Sequence, residues 1–188
     1  EMGLFLINFN NQYDSNQTND TVTARGKTRH TGLETQVRYD LGDMTPTLEN
    51  VAVYANYAYV NAEIREKGDT YGNQVPFSPK HKGTLGVDYK PGNWTFNLNS
   101  DFQSSQFADN ANTRKESADG STGRIPGYML WGARVAYDFG PEMANLNLAF
   151  GVKNIFDHEY YTRSYDDNNK GIYAGQPRTL YLQGSLKF

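Results

Sequence analysis

Eight stretches of this chain alternate apolar and polar residues with a period of two, and no helical period competes with them. From Asn145 to Lys153, Leu146, Leu148, Phe150 and Val152 share one face while Asn145, Asn147 and Lys153 take the other. From Trp94 to Gln103, Trp94, Phe96, Leu98 and Phe102 oppose Thr95, Asn97, Asn99, Asp101 and Gln103. The stretch Thr179–Phe188 sets Leu180, Leu182, Leu186 and Phe188 against Thr179, Tyr181, Gln183, Ser185 and Lys187. The other five strands are predicted over Gly3–Tyr13, Thr28–Asp40, Val51–Glu63, Lys80–Lys90 and Tyr128–Asp138. Four strands close on one signature, an apolar residue, a polar or small one, then an aromatic ring: Val37-Arg38-Tyr39, Val87-Asp88-Tyr89, Val135-Ala136-Tyr137 and Leu186-Lys187-Phe188. The signature returns at intervals of about 50 residues. Rings held at one height are what a membrane interface selects in a transmembrane β-barrel.

The connections alternate in length. Leu41–Asn50, Pro91–Asn93 and Phe139–Ala144 are short and turn-rich, whereas Asp14–Lys27, Ile64–Pro79, Phe107–Gly127 and Asp157–Gly175 are long and polar. Short turns on one side and long loops on the other reproduce the asymmetry between the periplasmic and outer ends of outer-membrane barrels. The aromatic endings all fall on the short-turn side. The fold class expected is therefore all-β, an antiparallel transmembrane β-barrel.

Composition agrees. Fourteen tyrosines and ten phenylalanines among 188 residues suit interface girdles. No apolar run approaches the length of about 18 residues that a membrane helix requires, and a barrel strand, lipid-facing only at alternate positions, has modest mean hydropathy. Without cysteine there is neither a disulfide nor a cysteine-ligated metal. The net charge of −3 carries no nucleic-acid signal, so no nucleic-acid partner is expected. A soluble eight-stranded barrel would be apolar inside and polar outside; here Glu34, Gln36, Arg38 and Asp40 form a row that suits a wet interior. A propeller blade needs four strands per repeat, and each repeat here holds two long ones.

The most specific signals lie near the end of the chain. Asn154-Ile155-Phe156-Asp157-His158-Glu159-Tyr160 resembles the NxFDxxY end of the penultimate strand in TonB-dependent outer-membrane receptors. Gly175-Gln176-Pro177-Arg178-Thr179-Leu180 is similar to the GxPR opening of their final strand, and Phe188 to their closing aromatic. Val75-Pro76-Phe77-Ser78-Pro79-Lys80-His81, leading into Leu85-Gly86-Val87-Asp88-Tyr89, matches their strand-entry pattern. Within the family, 14–20 and 163–170 resemble loops of the branch that takes up ferric citrate. The resemblance implies that residues 1–188 are the eight C-terminal strands of a 22-stranded barrel in the outer membrane of a Gram-negative cell. A plug domain and fourteen strands would lie upstream; Glu1, which opens inside a predicted strand, fits that expectation. The intact receptor would take up a ferric chelate, most closely ferric citrate, energised by the TonB–ExbB–ExbD complex through the plug, with lipid and lipopolysaccharide around the barrel. No cofactor is expected to be held by these strands. The runner-up is a self-contained eight-stranded outer-membrane barrel with a structural or adhesive role.

The same resemblance assigns most of the ligand contacts to arginines upstream, with Gln17 and Asn168 adding polar contacts from the long loops. Each could equally be a solvated loop residue. Arg25, Lys27, Arg29 and His30 stand beside the first long loop, where they could draw anions inward or meet lipopolysaccharide phosphates. Arg114, Lys115, Arg124 and Arg163 invite the same two readings, and Arg178 is expected to be structural and lumen-facing as part of GxPR. The run Asp166-Asp167-Asn168-Asn169 lacks the spaced ligands of a calcium loop, so no metal site is expected. His30, His81 and His158 are too far apart to form one, and Asp157, His158 and Glu159, read as strand, would point to alternate faces. No G-x-S-x-G, H-E-x-x-H or phosphate-cradling glycine loop is present, and Ser78, Ser100 and Ser104 have no readable histidine partner, so the chain is read as no enzyme. Loop closure over ligand falls to Asp14–Lys27 and to Asp157–Gly175, rich in residues that permit large backbone change.

Overall fold

A computed structural model describes residues 1–16, 21–118, 122–143, 145–164 and 172–186; side chains at 11–16, 21–25, 163, 164 and 172 also lie outside what it describes. The strands are β1 (Met2–Asn16), β2 (Thr21–Asp40), β3 (Val51–Ile64), β4 (His81–Tyr89), β5 (Trp94–Gln103), β6 (Gln106–Phe107), β7 (Arg124–Ile125), β8 (Tyr128–Asp138), β9 (Asn147–Lys153), β10 (Tyr161–Ser164), β11 (Ile172–Ala174) and β12 (Thr179–Ser185). Eight make one antiparallel meander in the order β1-β2-β3-β4-β5-β8-β9-β12. The pairs β6–β7 and β10–β11 are short ribbons inside the third and fourth long connections. Among the described residues the sheet order ends at β1 and β12 without pairing them, whereas a self-contained barrel would join the two.

Register turns the period-two pattern into two continuous faces. Tyr39 stands opposite Val53, Val53 opposite Val87, Val87 opposite Leu98, Leu98 opposite Ala133 and Ala133 opposite Val152, which faces Leu180. This apolar face holds many of the large side chains left exposed, including Leu4, Val37, Leu85, Leu98, Phe150 and Leu182. The other face is polar, and a trough of about 630 Å³ crosses it between β1 and β8, lined by Glu34, Gln36, Asn56, Lys82, Thr84 and Asp101 among others. A soluble barrel would have the reverse arrangement.

Two aromatic tiers bound the apolar face. At the short-turn end, Trp94 packs with Phe96 at 5.9 Å and Tyr137 at 4.8 Å, Phe96 with Tyr89 at 6.0 Å and Tyr137 with Phe139 at 4.8 Å between ring centroids. At the other end the Tyr57 hydroxyl lies 2.7 Å from His81 Nδ1, and the Tyr59 and His81 rings are 5.2 Å apart. Tyr89 opposes Val51 and His81 opposes Tyr59, so the tiers lie eight residues apart. At about 3.3 Å per residue that is roughly 26 Å along the strand, shortened to roughly 20 Å by a tilt of about 40°.

Four glycines on the strands face an aromatic ring directly across the ladder: Gly32 beneath Phe5, Gly83 beneath Phe102, Gly86 beneath Tyr54 and Gly151 beneath Tyr181. A Cβ at any of them would sit inside the facing ring. Glycine weakens a strand on its own; here the close approach of ring to backbone requires it, and the ring shields the bare peptide.

The first long connection departs from expectation. Read as loop over Asp14–Lys27, it is mostly paired backbone: Tyr13, Asp14, Ser15 and Asn16 face Ala24, Thr23, Val22 and Thr21, above a register shift at Gln12 and Gly26. The polar composition hid a strand that Thr21, Val22 and Thr23 favour by their branching, because a ribbon standing clear of lipid needs no apolar face.

The apolar face sets a clear expectation for the intact barrel. Leu85, opposite Ala55 and midway between the tiers, should tolerate charge badly: Leu85→Arg is expected to cost roughly 2–4 kcal/mol. Gln36→Arg on the polar face should be nearly neutral. Denaturant titration of both variants in lipid vesicles, followed by tryptophan fluorescence, measures the difference; equal effects would mean that the faces are wrongly assigned.

Candidate functional site

The candidate site is the outer mouth, built by the long connections above the upper aromatic tier, together with the polar wall below it. Gln17 and Asn168, the two residues assigned to ligand, lie outside the described residues, as do the Asp166-Asp167-Asn168-Asn169 run and the closing Phe188. Their flanks are placed: Asn16 pairs with Thr21, and Ser164 with Ile172.

The second and third long connections are tied into one rim. Asn112, in the left-handed conformation at φ 55°, accepts from the Gln74 amide N–H at 2.7 Å and donates back to the Gln74 carbonyl at 2.8 Å. Asn73 donates to the Asn110 carbonyl at 2.9 Å, and the Phe77 N–H to the Phe107 carbonyl at 2.9 Å. Asp109 gathers the third connection by accepting from Thr113 and from the Gly123 N–H. Beneath this polar fabric Ala62, Ile64 and Val75 bury a small apolar core with Val60. Sequence reasoning gave these loops no structure, since a rim held by side chain to backbone bonds carries no periodicity.

The fourth connection joins the same rim. Buried Gln106 donates to the Thr162 carbonyl at 2.9 Å, the Tyr161 hydroxyl donates to Glu116, and the Tyr128 and Tyr160 rings lie 4.4 Å apart. Desolvation first, and the Glu116 carboxylate second, push the Tyr161 phenol far above its ordinary value, so it stays a donor.

The two terminal motifs form one clasp. Asn154, 5% exposed and left-handed at φ 50°, donates to the carbonyls of His158 at 3.0 Å and Gln176 at 3.1 Å and accepts from the His158 N–H at 2.9 Å. Asp157, also left-handed, accepts from the Arg178 N–H at 2.7 Å, while the Arg178 guanidinium reaches the Ile155 carbonyl at 3.4 Å and the Asp157 carboxylate at 3.9 Å. Tyr160 lies over Gly175 and accepts from the Gln176 N–H at 3.2 Å. Every lettered position of NxFDxxY except the exposed Phe156 is thereby bound to GxPR. Arg178 is structural, as expected, through these partners. Asp157, His158 and Glu159 lie in a turn and its exit rather than on a strand.

Of the basic residues beside the first connection, Lys27 and Arg29 are exposed and Arg29 donates to Asn8 at 3.0 Å. Arg114 and Lys115 are exposed, and Arg124 donates to Ser105 at 2.8 Å. Lower on the polar wall a network crosses four strands: Arg38 meets Asp88 at 2.8 Å, and Asn97 donates to Asp88 at 2.8 Å and to the Tyr54 hydroxyl at 3.0 Å. Thr84 and Asn99 donate to Asp101 at 2.6 and 3.3 Å. Such a wall can orient polar and charged groups of a solute or of a domain packed inside.

Comparison with known proteins places this architecture. Residues 1–155 match the family described as TonB dependent receptor-like, beta-barrel. The chain is 28% identical over 166 residues to the metal-pseudopaline receptor CntO of Pseudomonas aeruginosa, covering 87% of this chain and 21% of that protein. It is 27% identical over 169 residues to the ferrichrome outer membrane transporter/phage receptor of Escherichia coli K12, covering 87% and 20%. Among solved structures, the unliganded ferric citrate transporter FecA superposes with a TM-score of 0.90 at 91% identity, over 100% of this chain and 28% of that one. The siderophore receptor PiuA of Acinetobacter baumannii shares the fold at 20% identity, with a TM-score of 0.71 over 100% of this chain and 26% of that one. The chain thus spans between a fifth and just over a quarter of the length of these proteins.

The clasp makes its own prediction. Asn154→Ala strands buried partners and removes a residue suited to the left-handed conformation, so it should destabilise the intact barrel by about 2–3 kcal/mol. Phe156→Ala, at a residue 73% exposed, should cost far less. Heat-modifiability on gels and denaturant midpoints in vesicles check the pair; equal midpoints would remove the clasp from the account of the motif.

Proposed function

The chain belongs to the TonB-dependent receptor β-barrel family, and on that premise we propose that the whole protein is an outer-membrane transporter for ferric citrate. The observation that carries this reading is the 91% identity, along the entire chain, to the ferric citrate transporter FecA. TonB, with ExbB and ExbD, would supply energy through a plug domain in the rest of the protein. The family is one of transporters and receptors rather than of enzymes. These strands contribute wall, rim and two hairpins to a barrel of 22 strands, and ferric citrate is cargo.

Gln17 and Asn168 are proposed as polar contacts to that cargo, in the segments that join Asn16 to Thr21 and Ser164 to Ile172 along the chain. Neutral carboxamides can donate to citrate carboxylates while arginines elsewhere in the receptor carry the charge pairing. Exposed Lys27 and Arg29, above the upper aromatic tier, are proposed to meet lipopolysaccharide phosphates.

Equilibrium binding to the full-length receptor, with other ferric chelates as competitors, tests the reading. Ferric citrate should win. Gln17→Leu and Asn168→Leu should each weaken its binding roughly five-fold, one hydrogen bond's worth of about 1 kcal/mol. Preference for a different chelate would sink the citrate reading, and unchanged affinity in both variants would remove the two residue assignments.

A further inference from the structure

Half-buried Arg134 on β8 faces the polar wall, and among the described residues no carboxylate pairs with it. Facing the wet interior, it remains free to meet an anion, which makes its surroundings informative. It lines a recess of about 290 Å³ that also contains Lys153, Asn97, Asn99, Asp101 and Tyr181. Volume comes from two missing side chains. Gly132 stands opposite Asn99, whose Oδ1 would lie 3.0 Å from any Cβ built there, and Gly151 stands opposite Arg134 with Tyr181 over it. The Lys153 ammonium lies 5.9 Å from the Tyr181 ring centroid, held beside the recess by cation–π attraction.

The charges inside are unequal. Asp101 is the acidic member, and its two oxygens are engaged by Thr84 and Asn99. Asn97, directly opposite Arg134, spends its amide on Asp88 and Tyr54. Two cations therefore face one carboxylate that is already satisfied. The recess opens beneath the clasp, with Asn154, Tyr160 and Gln176 at its outer end, and runs down the wall to Arg134.

We propose that Arg134 and Lys153 form a carboxylate-binding recess on the luminal wall, below the mouth and apart from the contacts proposed for Gln17 and Asn168. Guanidinium and ammonium together suit a carboxylate, the first by its fork and the second as a point charge. The volume lies at the small end of ligand sites, right for a citrate-sized polycarboxylate or for one acidic side chain. Two sources offer that chemistry: cargo in transit, which rests on the ferric citrate reading, or an acidic residue from the rest of the receptor.

Crystals of the full-length receptor, unsoaked and soaked in citrate, separate these sources. A citrate carboxylate at Arg134 only after soaking identifies cargo; an acidic side chain of the receptor's own in both crystals identifies the internal source. No carboxylate within about 3.2 Å of the guanidinium in either crystal would overturn the proposal. Uptake of radioactive iron as ferric citrate is then compared in Arg134→Gln, Lys153→Gln and the double variant. For the cargo source, the double variant should lose roughly five- to ten-fold in uptake rate with affinity at the mouth unchanged, and Arg134→Lys should recover part of it. For the internal source, it should admit bulky antibiotics without cargo. Citrate seen in the crystal with unchanged uptake and permeability is binding at crystal concentration only, and it too overturns the proposal. Failure of the wild-type receptor to bind ferric citrate would reject the transport reading by itself, while the crystals still decide the recess.

Discussion

Lipid offers no hydrogen-bonding partner, so every peptide group inside the membrane must be satisfied by another peptide group of the barrel. The other features of this chain follow from that demand. It forces neighbouring strands into unbroken ladders, such as β2 with β3 from Thr28–Ile64 to Asp40–Ala52. A ladder fixes parity, and a slip of one residue would turn Val37 and Leu85 into the wet interior and Arg38 and Asp88 into lipid. The sequence therefore needs no long apolar run. It needs alternation, and a register that cannot drift.

The aromatic–glycine pairs serve that register. Tyr54 lies on Gly86, Tyr181 on Gly151, Phe5 on Gly32 and Phe102 on Gly83, each directly across the ladder. Shifting one strand would drive a ring against a side chain instead of bare backbone. On the polar face Gly32, Gly86 and Gly151 keep the wall thin, leaving space beside Tyr54 and Tyr181 for polar groups. Rings supply the bulk and glycines the room, so a wet interior can be close-packed locally and still leave recesses.

What the sequence made legible was what the ladder dictates. Trp94–Gln103 was bounded as found because alternation runs to its ends, and Tyr128–Asp138 because turn residues flank it. The aromatic endings at Tyr39, Tyr89 and Tyr137 marked one interface correctly, since a girdle is written in residue type and position alone. Beyond the lipid the alternation has no work, and legibility fails. The arms at 14–16 and 21–24 read as loop because a ribbon in water needs no apolar face to mark it. Asn112 and Gln74 find each other across two connections that have no period in common. Arg134 was not singled out from the sequence; its isolation among the described residues is visible only once its neighbours on β5 and β9 are placed.

Energetics distinguish the rim from the strands below it. Four hydrogen bonds join the second and third connections: Gln74 and Asn112 reciprocally, Asn73 to Asn110 and Phe77 to Phe107. At a net worth of about 0.5–1.5 kcal/mol each, separating the two connections would cost roughly 2–6 kcal/mol. At the middle of that range the separated form is populated about once in a thousand. Gln106 to Thr162 and Tyr161 to Glu116 add the fourth connection to the same unit. A ligand that closed one of these loops alone would have to supply that difference through contacts made only in the closed form. Among the described residues the three connections are therefore held as one body, which a ligand would have to move together. The β1–β2 ribbon meets that body where the Arg65 N–H donates to the Lys27 carbonyl and the Glu66 side chain stands over Gly26.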